Sequence, residues 1–222
     1  NLTVFAPTDA AFTSLATTLG FADAGAMVDA LSASDLAKIL QFHVLAGRKT
    51  AADLAAAGAT LPTLYSFDGS ATTLAVNTAS GVKLTDAVLT EATVSTADVA
   101  ATNGVVHVID KVLVPPGVLN VVQMAQLNPA FSTLVGAVVN ANLAATLSGP
   151  GPFTVFAPTD TAFAAIASTV ASLSPAQLTT VLTYHVLAGE VLSTGIPFGS
   201  ATPTVSGQSI TINAGTPPTI SD

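Results

Sequence analysis

The sequence predicts an α+β fold with a mainly antiparallel sheet, carried twice in tandem, and three observations lead there. A block of ten residues near the start recurs late in the chain. Within each copy, helix signals come first and strand signals follow. Half of the 222 residues are hydrophobic, enough to build the cores of two ordinary domains.

The repeat fixes the order of elements. Thr3-Val-Phe-Ala-Pro-Thr-Asp9-Ala-Ala-Phe12 returns as Thr154-Val-Phe-Ala-Pro-Thr-Asp160-Thr-Ala-Phe163. Thr-Val-Phe-Ala is a short apolar strand closed by proline, and Thr8 or Thr159 is then placed to cap a helix carrying Phe12 or Phe163. Phe42-His-Val-Leu-Ala-Gly47 returns as Tyr184-His-Val-Leu-Ala-Gly189. Between the two blocks the first copy is nine residues longer, which predicts an extra loop around Phe21 to Asp29.

Helix starts follow at Ser32-x-x-Asp35 and at Ser174-Pro175-x-Gln177, the second with a capping-box pattern and proline at the first helical position. Leu36, Ile39, Leu40 and His43 then fall at helical spacing, as do Leu178, Val181, Leu182 and His185, and Gly47 and Gly189 supply the stops. From about Leu61 to Val114 the chain turns to Thr- and Val-rich segments separated by glycine and asparagine, which read as strands. A helical lead-in from about Asn120 to Ser148 precedes the second copy's first strand. Within it, Asn128-Pro129 opens a helix with a predicted stripe of Phe131, Leu134, Val135 and Val138.

The copies begin and end at different points. The first starts almost on its Thr-Val-Phe-Ala strand and runs on through Gly104-Val-Val-His-Val-Ile-Asp-Lys-Val-Leu-Val-Pro-Pro116. The second has the lead-in and stops at Asp222, which matches Asp86. The expectation is therefore two modules, 1–117 and 118–222, the first incomplete at its N-terminus and the second at its C-terminus. Residues 118–153 resemble the lead-in that the first module lacks. They could serve a neighbouring chain's first module or fold back onto their own.

Charge sets the surface apart. Asp, Glu, Lys and Arg make up 8% of the chain, against about 25% in a typical soluble domain. Thr, Ser, Ala and Gly must cover much of the exterior, and such a surface has little repulsion to keep copies apart. The five basic residues are Lys38, Arg48, Lys49, Lys83 and Lys111, and the net charge is −8. Neither nucleic acid nor anionic lipid finds a cationic face here. No apolar run approaches the roughly 20 residues of a transmembrane helix. Cysteine is absent, which removes disulfides, thiolate zinc sites and thiol catalysis.

Candidate chemistry is sparse. His43 and His185 sit on the predicted apolar stripe of their helices, where a buried imidazole bonded to backbone is the favoured reading over a partner-binding or pH-sensing residue. His107, with Asp110 three residues on, has no nucleophile elbow to make a catalytic group. Three scattered histidines show no metal-ligand spacing, and Gly149-Pro-Gly-Pro152 lacks the Lys-Ser/Thr of a phosphate loop. Asn1-Leu2-Thr3 fits a glycosylation pattern but leads into a strand expected to be buried. No catalytic residue, cofactor or metal is expected.

At these motifs the chain resembles the fasciclin (FAS1) family. Thr-Val-Phe-Ala-Pro-Thr-Asp-x-Ala-Phe is similar to that family's first motif, and Asn103-Gly-Val-Val-His-Val-Ile-Asp-Lys-Val-Leu to its second. The Phe/Tyr-His pair lies between them. The resemblance implies a β-sandwich or wedge bearing a helical subdomain, usually in tandem copies on secreted or cell-surface proteins, without enzymatic activity. In some members integrin contact is attributed to a Tyr-His motif and to a Glu-Pro-Asp-Ile-Met segment before the second motif. Tyr184 and His185 match the first, and Phe42 and His43 stand at the same place in copy one. Of the second, Asp98 matches and Val99 replaces isoleucine, while the Glu-Pro and Met are missing. These six residues are the candidate partner contacts.

The function implied is an extracellular adhesion or structural module acting through protein–protein contacts. Its partners would be other copies, neighbouring fasciclin modules, or cell-surface and matrix proteins, and head-to-tail assembly into filaments is a sharper form. A binding module for a small apolar ligand or a polysaccharide is the alternative, with only Tyr65 and Tyr184, and no Trp, to stack on sugars.

Overall fold

A computed structural model describes residues 1–222, which divide into two units, Asn1–Leu119 and Asn120–Asp222. In the first, strand β1 (Leu2–Pro7) leads into helices α1 (Asp9–Thr18), α2 (Ala24–Ala30) and α3 (Ala33–Phe42). Strand β2 (Val44–Ala46) and helix α4 (Ala51–Ala56) follow. Then come five strands: β3 (Thr60–Phe67), β4 (Ser70–Asn77), β5 (Lys83–Thr85), β6 (Glu91–Ala101) and β7 (Gly104–Ile109).

Local chemistry starts these helices as their sequences suggest. The Thr8 hydroxyl accepts from the Ala11 N–H, and that of Ser32 accepts from Asp35. The seven strands lie in the order β2-β1-β7-β6-β5-β4-β3. All neighbours are antiparallel except β1 beside β7, which run parallel from Leu2↔Gly104 to Pro7↔Ile109. A Cβ on Gly104 would collide with the Leu2 carbonyl, so the glycine of the second motif is what lets β1 close on β7. The outer strands β2 and β3 come back beside each other, which curls the sheet nearly shut. Phe5, Phe42, Leu45, Leu61, Leu74 and Ile109 fill it.

The second unit opens with α5 (Val121–Gln126), a 3-10 turn (Pro129–Phe131), α6 (Ser132–Asn140) and α7 (Ala144–Leu147). Strand β8 (Phe153–Val155), helices α8 (Asp160–Ala165), α9 (Ala167–Ser172) and α10 (Pro175–Tyr184) and strand β9 (Val186–Ala188) repeat the front of the first unit. Strands β10 (Ala201–Pro203), β11 (Ser209–Asn213) and β12 (Thr219–Ser221) form a three-stranded antiparallel sheet, and β8 pairs with β9. Ser174 and Gln177 close the capping box, with Pro175 at the first turn. Val122, Leu134, Val138 and Leu147 of the lead-in pack with Phe163, Leu182 and Val186. Residues 118–153 thus cover their own module's helices rather than folding back as a partner for the first.

Three expectations need correction. The stretch Phe21 to Asp29 is not a loop: α2 lies there, capped by Asp23 and pinned by Met27, which is buried. The stripe of α3 is rotated from the expected one, because Phe42 carries its burial while Leu40 is 63% exposed and His43 is the cap beyond the helix. In α6, Ala137 is buried where Val135 was expected, and the Asn128-Pro129 start is a 3-10 turn before the helix proper.

The helical threonines share a habit. Thr13, Thr17, Thr18, Thr179, Thr180 and Thr183 each donate their hydroxyl to the carbonyl four residues back. The hydroxyl turns onto the helix and leaves the methyl group outward.

Candidate functional site

The two motifs that define the repeat hold each other. The Thr3 hydroxyl donates to the Gly47 carbonyl at 2.8 Å and accepts the Lys49 N–H at 2.9 Å. In the second copy Thr154 donates to Gly189 at 2.7 Å and accepts from Val191 at 2.8 Å. The Phe5 and Phe156 N–H groups donate to the His43 and His185 carbonyls, both at 2.9 Å. Thr3 is fully buried, so its place in a glycosylation pattern is incidental.

His43 is enclosed. Its Nε2 accepts the Leu113 N–H at 2.9 Å, so Nδ1 carries the proton and donates to the Ile39 carbonyl at 2.7 Å. Burial holds its pKa below the ordinary imidazole value, against the opposing pull of the Ile39 carbonyl and of Asp86. Phe42 is equally interior and meets Tyr65 edge to face at 6.4 Å. As a candidate contact pair, Phe42 and His43 therefore point into the core rather than outward. Tyr184 and His185 are half-buried. The Tyr184 hydroxyl donates to the Ser209 carbonyl at 3.0 Å, and the ring stands edge-on to His185 at 6.5 Å.

Asp98 and Val99 lie on the exposed face of β6, at its second bulge. Asp98 takes a left-handed backbone at φ 61°, and its carboxylate accepts the N–H of Ala51, the first residue of α4. Its own N–H donates to Nδ1 of His107, whose Nε2 in turn donates to the Lys49 carbonyl at 2.9 Å. One chain of bonds thus joins Asp98, His107, Lys49, Thr3 and Gly47, bringing the two motifs and the exposed Asp98-Val99 corner together. Val99 stands 45% exposed at its end. His107 does not meet Asp110, whose carboxylate accepts the Thr93 N–H. The structure supplies no catalytic pair there.

Two features escaped the sequence reading. The fully buried Asp86 carboxylate accepts from Lys111 at 2.6 Å, from Val114 N–H at 2.9 Å and from Val88 N–H at 3.1 Å, and Lys111 also donates to Thr90. This pair braces a tight turn whose outermost residue, Leu89, is 74% exposed at φ 63°. Only the rarity of charge in the chain could have drawn attention to Asp86, and nothing local marks Leu89 as a left-handed residue. Elsewhere the charged groups pair at the surface. Lys38 and then Ser32 hold Asp35 below its usual range, and Lys83 and then Asn77 do the same to Glu91. No group of three or more His, Asp or Glu comes together that could hold a metal ion.

The model of the fasciclin domain matches residues 1–115 and again 129–220. The chain belongs to the fasciclin family. It is similar to the uncharacterised protein sll1735 of Synechocystis sp., at 46% identity over 97 residues covering 42% of this chain and 73% of that protein. It is also similar to protein sll1483 of the same organism, at 43% over 98 residues, 42% of this chain and 54% of that one. The chain thus spans about half the length of the second relative. A solved FAS1 domain pair from the insect cell adhesion molecule fasciclin I aligns over 99% of this chain and 79% of its own, at 21% identity and a TM-score of 0.47. Fasciclin domains are non-catalytic adhesion and structural modules of secreted and cell-surface proteins, and this is an extracellular pair of them. No helix is long and apolar enough to cross a membrane.

Proposed function

We propose that this fasciclin pair, with modules at 1–117 and 118–222, is an adhesive or structural unit whose copies join head to tail into filaments or matrix. One observation carries the reading. Strand β5 is paired on both sides, by β4 and β6, whereas β12, its counterpart in the second copy, is paired by β11 alone. All three residues of β12 are exposed, with Ile220 at 47%. Its open edge offers unpaired backbone groups to a strand from another chain, and such strand addition needs no charged surface.

An edge on one module and its complement on another make a heterologous contact, which propagates into filaments unless the rotation closes. The low-charge exterior favours it further. Contacts to cell-surface or matrix proteins, if the units also carry them, are assigned to Asp98 and Val99 on β6 and to Tyr184 and His185. These four reach the surface while Phe42 and His43 do not.

Negative-stain electron microscopy of native material with intact mass spectrometry tests this. Filaments of regular repeat that vanish on Ile220→Pro, which cannot donate to a ladder, support the proposal. Dispersed particles of a single 222-residue mass sink it.

A further inference from the structure

The two copies share a scaffold and expose it differently. Leu40 stands two positions before Phe42, as Leu182 stands two before Tyr184, and the strands that follow each block pair in the same way with the Thr-Val strand. Yet Leu182 is 4% exposed and Leu40 63%. Two neighbours change in the same sense: Phe163 and Val186 are buried, while their counterparts Phe12 and Val44 are half-exposed.

The cause is visible in the second copy, where Phe163, Leu182 and Val186 pack with Val122 of α5 and with Leu134 and Val138 of α6. None of Phe12, Leu40 and Val44 belongs to the first unit's core cluster. A phenylalanine, a leucine and a valine thus form a face in the first copy whose equivalent is a helix seat in the second.

We propose that this face is the docking site of an amphipathic helical pair of the α5–α6 kind, entering from the side of Asn1 as α5–α6 enter from the side of Pro152. The occupant is specified by the positions it must satisfy: apolar residues where Val122, Leu134 and Val138 stand, and little charge around them. A second copy's own α5–α6 is a poor occupant. Each chain has two such faces and one such pair, so donating it bares Phe163, Leu182 and Val186 in the donor, and nothing is gained. The inference does not depend on the adhesive reading.

The test places a second copy of residues 118–151 directly ahead of Asn1 in the full chain. This keeps the spacing, since Pro152 precedes Thr154 as Asn1 precedes Thr3. Amide hydrogen exchange in α1 and α3 is expected to slow by about tenfold or more, with a drop in hydrophobic-dye fluorescence. Leu134→Asp with Val138→Asp in the added segment alone, or Leu40→Asp in the receiving face, is expected to cancel both effects. Leu40 is exposed, so its variant keeps the fold. Unchanged exchange in the extended chain, or protection that survives Leu40→Asp, overturns the proposal. So does sedimentation showing that the 222-residue chain itself dimerises and that Leu40→Asp dissolves the dimer, because the face is then filled by a second copy.

Discussion

His43 and Leu113 are joined across 70 residues by one hydrogen bond, from the Leu113 N–H to the imidazole Nε2. The bond exists only while the ring is neutral, because a protonated Nε2 would meet the N–H with another donor. Burial depresses the folded-state pKa below the unfolded value of about 6.5, so in that window the unfolded chain binds more protons. The stability from this group is complete above that value and is lost as pH falls through the folded pKa. The urea midpoint of the first unit is expected to decline on acidification from pH 7 towards 5. His43→Gln should start lower and show a flatter slope over the same range. An unchanged slope in the variant would assign the effect elsewhere.

Thr3 and Thr154 make the same two bonds in the two units. Thr3→Val removes a buried hydroxyl and leaves the Gly47 carbonyl and Lys49 N–H short of a partner, at a cost of about 1–3 kcal/mol. Thr154→Val should cost a similar amount in the second unit. Denaturant melts of both single variants and of the double check that the two losses add.

Asp86 and Lys111 behave as one element. Removing Lys111 strands a fully buried carboxylate, so Lys111→Met is expected to cost about 3–5 kcal/mol. Asp86→Ala should cost a similar amount, and the double variant less than the sum, since it leaves no charge unpaired. Chemical denaturation of the four chains in a double-mutant cycle gives the coupling.

Leu89 spends a large side chain on solvent in a backbone region that costs a leucine about 1–2 kcal/mol. Leu89→Asn is expected to raise stability by about 0.5–1 kcal/mol while weakening adsorption or self-association. A stability gain with undiminished association would remove Leu89 from the contact surface.

Much of this architecture is legible in the sequence where its causes are local. Thr8, Ser32, Thr159 and Ser174 cap helices because a hydroxyl three positions ahead of an orphan N–H needs no tertiary help. The repeat exposes both modules for the same reason: Thr3 and Gly47 can be replaced only as a bonded pair. What stayed hidden depends on distance along the chain. Leu40 and Leu182 occupy identical sequence contexts and differ in burial because α5 and α6 cover one of them. The helix α2 carries its signal in one cap and one buried methionine among alanines, too little for a periodic pattern. Asp86 meets Lys111 25 residues on, and Phe42 and His43 match a contact motif in letters while their side chains are consumed by the core.

The threonines that fold their hydroxyls back onto α1 and α10 give those helices a coat of methyl groups, polar in composition and oily to the touch. Water gains few hydrogen bonds there, and an ionic atmosphere has almost nothing to shield. Attachment through such a coat should hold in brine as well as in fresh water, and tighten in sulfate or phosphate, which drive apolar surfaces together. A glue of this kind works by being poorly wetted.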